Sequence, residues 1–295
     1  MSPDLVVLGN LLVDDVVFPD GRTRFAQPGG ACLYLALGAA LWGLRVGLVS
    51  VVGREYPTQA LDALERRGAD LAGVRRLEAD GLRTWLLYEG ARRRVVHRLE
   101  GPSHAQVSPE PRDVPEAWRS AGAFHLAPMP LETQARLVGA IGSWPAAQLA
   151  LDPYALLTRA TLDAVWPVLA GVDTLFLSED ELELGRGDRR DVLPGLLRGR
   201  LRRVAFKRGA LGGQLLDGSR FFEWAPRVSA VVDPTGAGDA FAAGVWAGWL
   251  AGEPHPRALQ RGVVSASFAI EAWGPDGLLA ATPEAAEQRL REWFA

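Results

Sequence analysis

Cysteine occurs once in these 295 residues, at Cys32. A single thiol excludes an internal disulfide and any cysteine-rich zinc site. Histidine is nearly as sparse, with four residues at positions 97, 104, 125 and 255, and no two have the H-x-x-x-H spacing of a helical metal site. Lysine also occurs once, at Lys207; every other basic residue is arginine, spread along the chain. No charge of one sign dominates. The 32 basic and 35 acidic side chains leave a net charge of −3, which argues against nucleic acid or an anionic membrane as the main partner, since both need a basic face. The N-terminus has no basic stretch ahead of an apolar one, hence no visible secretory signal, and a cytoplasmic protein is expected. Ala26 to Leu44 carries no charge, but Gln27-Pro28-Gly29-Gly30 opens it. That leaves roughly a dozen helical residues, short of the ~20 a membrane span needs. A buried helix is expected there, and no membrane partner.

The remaining composition is globular, 48% apolar and 23% charged. Short apolar runs at Leu5–Gly9, Val46–Gly53, Ala123–Ala127, Gln148–Asp152, Thr174–Ser178 and Arg203–Phe206 read as buried strands. Helical patterns separate them: Ala31–Trp42, Thr58–Arg67, Leu131–Ile141 and Leu156–Leu169. Strand–helix alternation predicts a parallel sheet covered on both faces. Two hairpins interrupt it. Val13–Phe18 and Arg22–Ala26 flank Pro19-Asp20-Gly21, and Thr84–Glu89 and Val95–Glu100 flank Gly90-Ala91-Arg92-Arg93. Together they form either a lid over a cleft or a surface ornament. A third hairpin, 214–216 with 221–224, is expected to extend the main sheet at one edge. From Gly238 onward the chain reads as helices, at Ala240–Leu250, Arg257–Ala272 and Pro283–Trp293.

The chemistry concentrates in Asp233-Pro234-Thr235-Gly236-Ala237-Gly238-Asp239-Ala240-Phe241. Proline and two glycines forbid a regular strand or helix across this run, so a helix must start near Gly238. Its first N–H groups lack helical partners and, with the helix dipole, form an anion site. Asp239 repels an anion held there. It reads either as a helix cap or as a base that accepts the proton of an attacking hydroxyl while the amides stabilise transferring phosphoryl charge.

This run resembles the C-terminal signature of the ribokinase-like (PfkB) family of carbohydrate kinases, close to D-T-x-G-A-G-D. The resemblance extends along nearly the whole chain. It implies a three-layer α/β/α sandwich with a mostly parallel central sheet, forming a single domain over residues 1–295 with a small β lid from about 13–26 and 84–100. It implies Asp239 as catalytic base and Gly236, Ala237 and Gly238 as anion hole. Gly9-Asn10-Leu11-Leu12-Val13-Asp14 resembles the family's G-x-x-x-x-D and implies that Asp14 binds acceptor hydroxyls. Gly29-Gly30 resembles the di-glycine beside the substrate, with Tyr34 one turn later. Ser178-Glu179-Asp180-Glu181 resembles N-x-x-E and implies a magnesium site at Glu181, with Ser178 acting through water. Lys207-Arg208-Gly209-Ala210-Leu211-Gly212 resembles the G-x-x-G nucleotide loop; with Thr235, it implies Lys207, Gly209 and Gly212 as nucleotide contacts. The implied cofactors are ATP and Mg2+, with a monovalent cation in some members; the implied partners are a small polyol or nucleoside and, through the lid, a second copy of the chain.

Several positions depart from the family pattern. Tyr34 stands where many members have Asn, Leu12 where ribose-specific members are polar, and Ser178 where Asn is usual. Ribose is therefore not the expected acceptor. Arg92, Arg93 and Arg94 read as a solvated hairpin tip or as a contact for an anion. Other chemistries lack their motifs: there is no G-x-G-x-x-G after the first strand, no P-loop, and His97-Arg98-Leu99 is not H-R-D. The alternative of another class is a binding or regulatory protein that keeps the fold without turnover.

Overall fold

The computed structural model describes residues 2–89, 92–98, 100–145, 148–183, 192–227 and 230–295. Gly90 and Ala91, in the second hairpin's turn, lie outside the described residues. β1 (Leu5–Leu8) is the pivot of the main sheet, pairing in parallel with β4 (Val46–Val52) on one side and β8 (Ala123–Leu126) on the other. β5 (Asp70–Arg76) continues beyond β4. On the other side follow β9 (Gln148–Leu151), β11 (Thr174–Ser178) and β13 (Arg203–Lys207), all parallel. The hairpin β14 (Gly213–Asp217) and β15 (Arg220–Trp224) closes that edge antiparallel, as its sequence predicts. The chain thus winds outward in opposite directions from β1 and β8, and the crevice at the carboxyl ends of those two strands is where open α/β sheets bind ligands.

Both faces of the sheet are buried, which explains the continuous apolar runs. In β1, Leu5 and Val7 pack on one face; Val6 and Leu8 pack on the other. The second face is covered by α3 (Leu131–Ile141) and α4 (Leu162–Leu169). The first is covered by α1 (Ala31–Leu41), α5 (Ala237–Leu250) and α6 (His255–Ile270), with α2 (Thr58–Arg66) and α8 (Pro283–Trp293) alongside. α7 (Asp276–Ala280) is a short turn of helix between α6 and α8. Helix α1 and, after Asp239, helix α5 are apolar on all sides because almost all of α1 and the middle of α5 are buried. Their close contact uses small residues, with Gly38 of α1 against Ala243 of α5. The uncharged stretch after Ala26 is this internal helix. Among the described residues, no helix is long and apolar enough to cross a membrane.

The early hairpins form a separate four-stranded sheet in the order β3 (Thr23–Gly29), β2 (Leu12–Val17), β6 (Leu82–Glu89), β7 (Arg92–His97). Its inner face carries Val16, Leu86 and Tyr88, packed with Phe18 against Trp273 after α6. The helix expected from Leu156 begins only at Leu162. The Thr161 hydroxyl accepts the Thr158 N–H (2.9 Å) and donates to the Leu156 carbonyl (2.6 Å), holding a turn instead. β10 (Leu157–Thr158) then pairs with β12 (Leu182–Glu183) as a two-stranded ladder that the sequence reading missed.

Candidate active site

The site is organised by the entry to α5. The Val232 and Asp233 N–H groups both bond the Ile270 carbonyl (2.8 and 3.3 Å), tying this approach to the end of α6. Asp233 is fully buried; its Oδ1 accepts from the Thr235 N–H (2.9 Å) and hydroxyl (2.6 Å), and its Oδ2 from the Gly274 N–H (3.0 Å). This knot turns the chain through Gly236, which takes left-handed φ 76° and ψ 0°. A Cβ there would also overlap the Tyr34 ring, so two independent constraints reserve the position for glycine. Ala237 opens α5 with its N–H turned back to the Pro234 carbonyl (3.3 Å). Gly238 follows in the first turn, where an N–H has no intrahelical acceptor and the dipole favours an anion. Asp239 is half-buried one residue further on.

The expected acceptor residues converge on this turn from the small sheet. Asp14 of β2 is buried, and its carboxylate lies so close over Gly29 that a Cβ at Gly29 would overlap it. Gly30 then caps α1, its carbonyl accepting from the Leu33 N–H (2.9 Å). One turn later, Tyr34 sits beneath Gly236. Burial, then the carboxylates of Asp14, Asp233 and Asp239, push its phenol well above its ordinary pKa, so the hydroxyl keeps its proton. Thr235 is placed at the seam with the small sheet, its hydroxyl shared between Asp233 and Tyr88 of β6 (2.7 Å).

The expected nucleotide residues arrive at the other side of the same turn. Lys207 ends β13, and a Cβ on Gly238 would lie 3.2 Å from its Nζ. Burial pulls the ammonium pKa down, but Asp152, Glu181 and Asp239 outweigh it and hold Lys207 above its ordinary value. Beyond it, Gly209 and Gly212 carry a loop closed by the Arg208 N–H on the Gly212 carbonyl (2.8 Å), with Leu211 exposed. The Ser178 N–H donates to Glu181 Oε2 (2.7 Å) at the end of β11. Burial raises the Glu181 carboxyl to about 7, opposed by the charge of Lys207.

Among the described residues, no three or more His, Cys, Asp or Glu side chains are grouped as a metal cage. The donor set around Glu181 instead suits magnesium, which takes one or two carboxylates and completes its shell with water and phosphate. Arg94 is exposed and lies 4.0 Å from Glu89; the side chains of Arg92 and Arg93 fall outside the described residues.

Sequence reasoning missed three residues that the fold brings to this place. Asp152 follows β9, His125 lies in β8 and Trp246 in α5; all are buried, and the Asp152 carboxylate bonds Lys207 Nζ (2.7 Å). Asp152 could have been found, since it stands at a strand's carboxyl edge. A lone His inside an apolar strand and a Trp in an apolar helix carried no comparable signal.

Residues 4–280 match the profile of the pfkB family carbohydrate kinases. The chain is 31% identical over 279 residues to a cytidine kinase of Thermococcus kodakarensis, covering 92% of this chain and 97% of that one. It is 29% identical over 274 residues to a 2-dehydro-3-deoxygluconokinase of Bacillus subtilis, covering 84% and 82%. A putative ribokinase II of E. coli, solved with ATP and Mg2+, superposes with a TM-score of 0.80 at 20% identity, covering 99% of this chain and all of that one.

Proposed function

Because the chain belongs to the pfkB family of carbohydrate kinases, and is accordingly a phosphotransferase, we propose that it transfers the γ-phosphoryl group of ATP to a hydroxyl of a small sugar, cyclitol or nucleoside, with magnesium. The observation that carries this reading is the convergence on one helical turn. Tyr34 from the Asp14 side underlies Gly236, and Lys207 from the Gly209–Gly212 side abuts Gly238. An anion at that turn therefore lies between the two groups of residues.

In this reading Asp14 binds acceptor hydroxyls over Gly29-Gly30. Asp239 takes the proton of the attacking hydroxyl as its oxygen bonds to phosphorus, and ADP leaves. The Gly238 N–H, with the backbone of Gly236 and Ala237 shaping the nest, stabilises the charge spread over the transferring group. Magnesium, when bound, neutralises phosphate charge; Glu181 would hold it, with Ser178 acting through water. Gly209 and Gly212 lie beneath the nucleotide and Lys207 beside its phosphates. The Thr235 hydroxyl stays with Asp233 and Tyr88, so its contribution to the nucleotide is to fix the start of the nest. The protonated Tyr34 hydroxyl is a donor, and its ring, in place of an amide, lowers the polarity of the pocket. That favours an acceptor with an apolar face over ribose, and the 31% identity to a cytidine kinase supports a nucleoside.

The small sheet acts as the lid. Its outer face carries exposed Trp85 beside Val96, with Phe25 edge-on at 5.7 Å, and this face supports pairing with a second copy of the chain. The reading is tested by supplying Mg-ATP with a panel of nucleosides, cyclitols, hexoses and sugar acids. Acceptor-dependent ADP release with a phosphorylated product is expected. ATP binding with no product on any acceptor would favour a binding protein.

A further inference from the structure

Four side chains, from α5, β8, the residue after β9 and the end of β13, form one buried row that runs from the body of α5 to its first turn. Trp246 Nε1 donates to His125 Nδ1 at 2.9 Å, and His125 Nε2 lies 2.6 Å from Asp152 Oδ2. An indole N–H can only donate, so Nδ1 is the acceptor and the ring proton sits on Nε2, directed at Asp152. Asp152 Oδ1 in turn accepts from Lys207 Nζ at 2.7 Å. Trp246 and His125 are fully buried and Asp152 is 2% exposed, so the row has no contact with solvent until the ammonium. Both carboxylate oxygens are thus fixed from opposite sides. The ammonium they hold abuts Gly238, although a lysine stem has four flexible carbons. Packing does not call for this arrangement, since apolar residues of similar volume replace buried ion pairs at little or no cost. It is also where the chain keeps its only lysine.

We propose that Trp246, His125 and Asp152 are positioning residues for phosphoryl transfer: the indole fixes the imidazole tautomer, the imidazole fixes the carboxylate, and the carboxylate aims the Lys207 ammonium at the oxygens of the group held beside Gly238. This inference rests on the kinase reading and deepens it. His125 touches neither nucleotide nor acceptor; it acts only through Asp152.

A mutant cycle tests the relay. His125→Leu removes the donor to Asp152, while His125→Gln returns an amide N–H to the place of Nε2. Lys207→Met removes the ammonium. A misaimed group costs up to about 100-fold, so His125→Leu should lower kcat/KM for Mg-ATP by about 10–100-fold, and Lys207→Met, which removes the group itself, by at least as much. The double variant should be no worse than Lys207→Met alone, because the relay has nothing left to aim. His125→Gln should recover most of the loss. Multiplying effects in the double variant, or His125→Gln as impaired as His125→Leu, would overturn the proposal. Should His125→Leu not fold, Trp246→Phe keeps an aromatic ring at that position, removes the indole donor with part of the ring, and enters the cycle in its place. A parent protein that phosphorylates no acceptor sinks the kinase reading separately. The same cycle is then read in Mg-ATP affinity by calorimetry, where non-additive losses uphold the relay and additive losses or none refute it.

Discussion

Glu181 is half-buried and Asp14 buried, and the two carboxylates sit in different surroundings. Glu181 is raised to about 7, chiefly by burial. Between the ordinary carboxylate value and about 7, the folded protein therefore holds a proton that the unfolded chain releases. Stability should fall as pH rises through that window and level off above it. Denaturant unfolding without magnesium, compared at pH 5 and pH 7.5, should show this slope in the parent and a shallower one in Glu181→Gln. Equal slopes would remove Glu181 as its source. The same proton must leave when a cation binds, so apparent Mg2+ affinity should climb with pH up to about 7. Asp14, by contrast, is held over the Gly29 backbone, where the proposed acceptor binds. Asp14→Ala should raise the acceptor KM by about tenfold or more, as expected for losing a charged hydrogen-bond partner worth ~1.5–3 kcal/mol, and leave the KM for ATP within about twofold. An unchanged acceptor KM would take Asp14 out of the pocket. Residue-scale legibility was uneven. The Asp239 run could be read because glycines, a proline and a misplaced charge occur together. His125 and Trp246 could not, because they lie more than a hundred residues apart and only the fold joins them to each other and to Asp152.

At the scale of elements, the entry to α5 is the part most sensitive to change. Gly236 is left-handed and faces the Tyr34 ring. Gly236→Ala should cost about 1–3 kcal/mol from backbone strain alone and should displace the nest as well. Thermal unfolding together with Mg-ATP affinity checks this; a variant as stable and as tight-binding as the parent would mean the turn is not constrained as described. Most strands and helices were legible from apolar runs and helical spacing, because a sheet buried on both faces writes its strands as continuous hydrophobic segments. The exceptions have local causes. β5 lies at the sheet's edge with only Gly73 buried, so it lacks the continuous apolar run that marks the inner strands. The helix expected from Leu156 starts late because a threonine pair makes a turn that competes with the helix. The start of α5 fell one residue before the expected Gly238, at Ala237.

For the whole molecule, the arrangement is a sheet that turns at β1 and β8, a smaller sheet leaning over that crevice, and an internal pair of helices delivering both glycine motifs to it. The layered architecture followed from the alternation of elements. The way the small sheet reaches the core did not, since it depends on Tyr88 meeting Thr235 and Phe18 meeting Trp273 across the chain. If the outer face of the small sheet pairs two copies, sedimentation should show a dimer that Trp85→Glu dissociates into folded monomers. A parent that remains monomeric at high concentration would contradict that pairing. The proposed reaction has the first turn of α5 grip a phosphoryl group while Asp239 deprotonates an alcohol. It is tested most directly by measuring Mg-ATP affinity and acceptor phosphorylation side by side in the parent and in Asp239→Asn. Nucleotide affinity should be retained while turnover falls by roughly 10²–10⁴-fold; equal turnover in the two proteins would contradict the account.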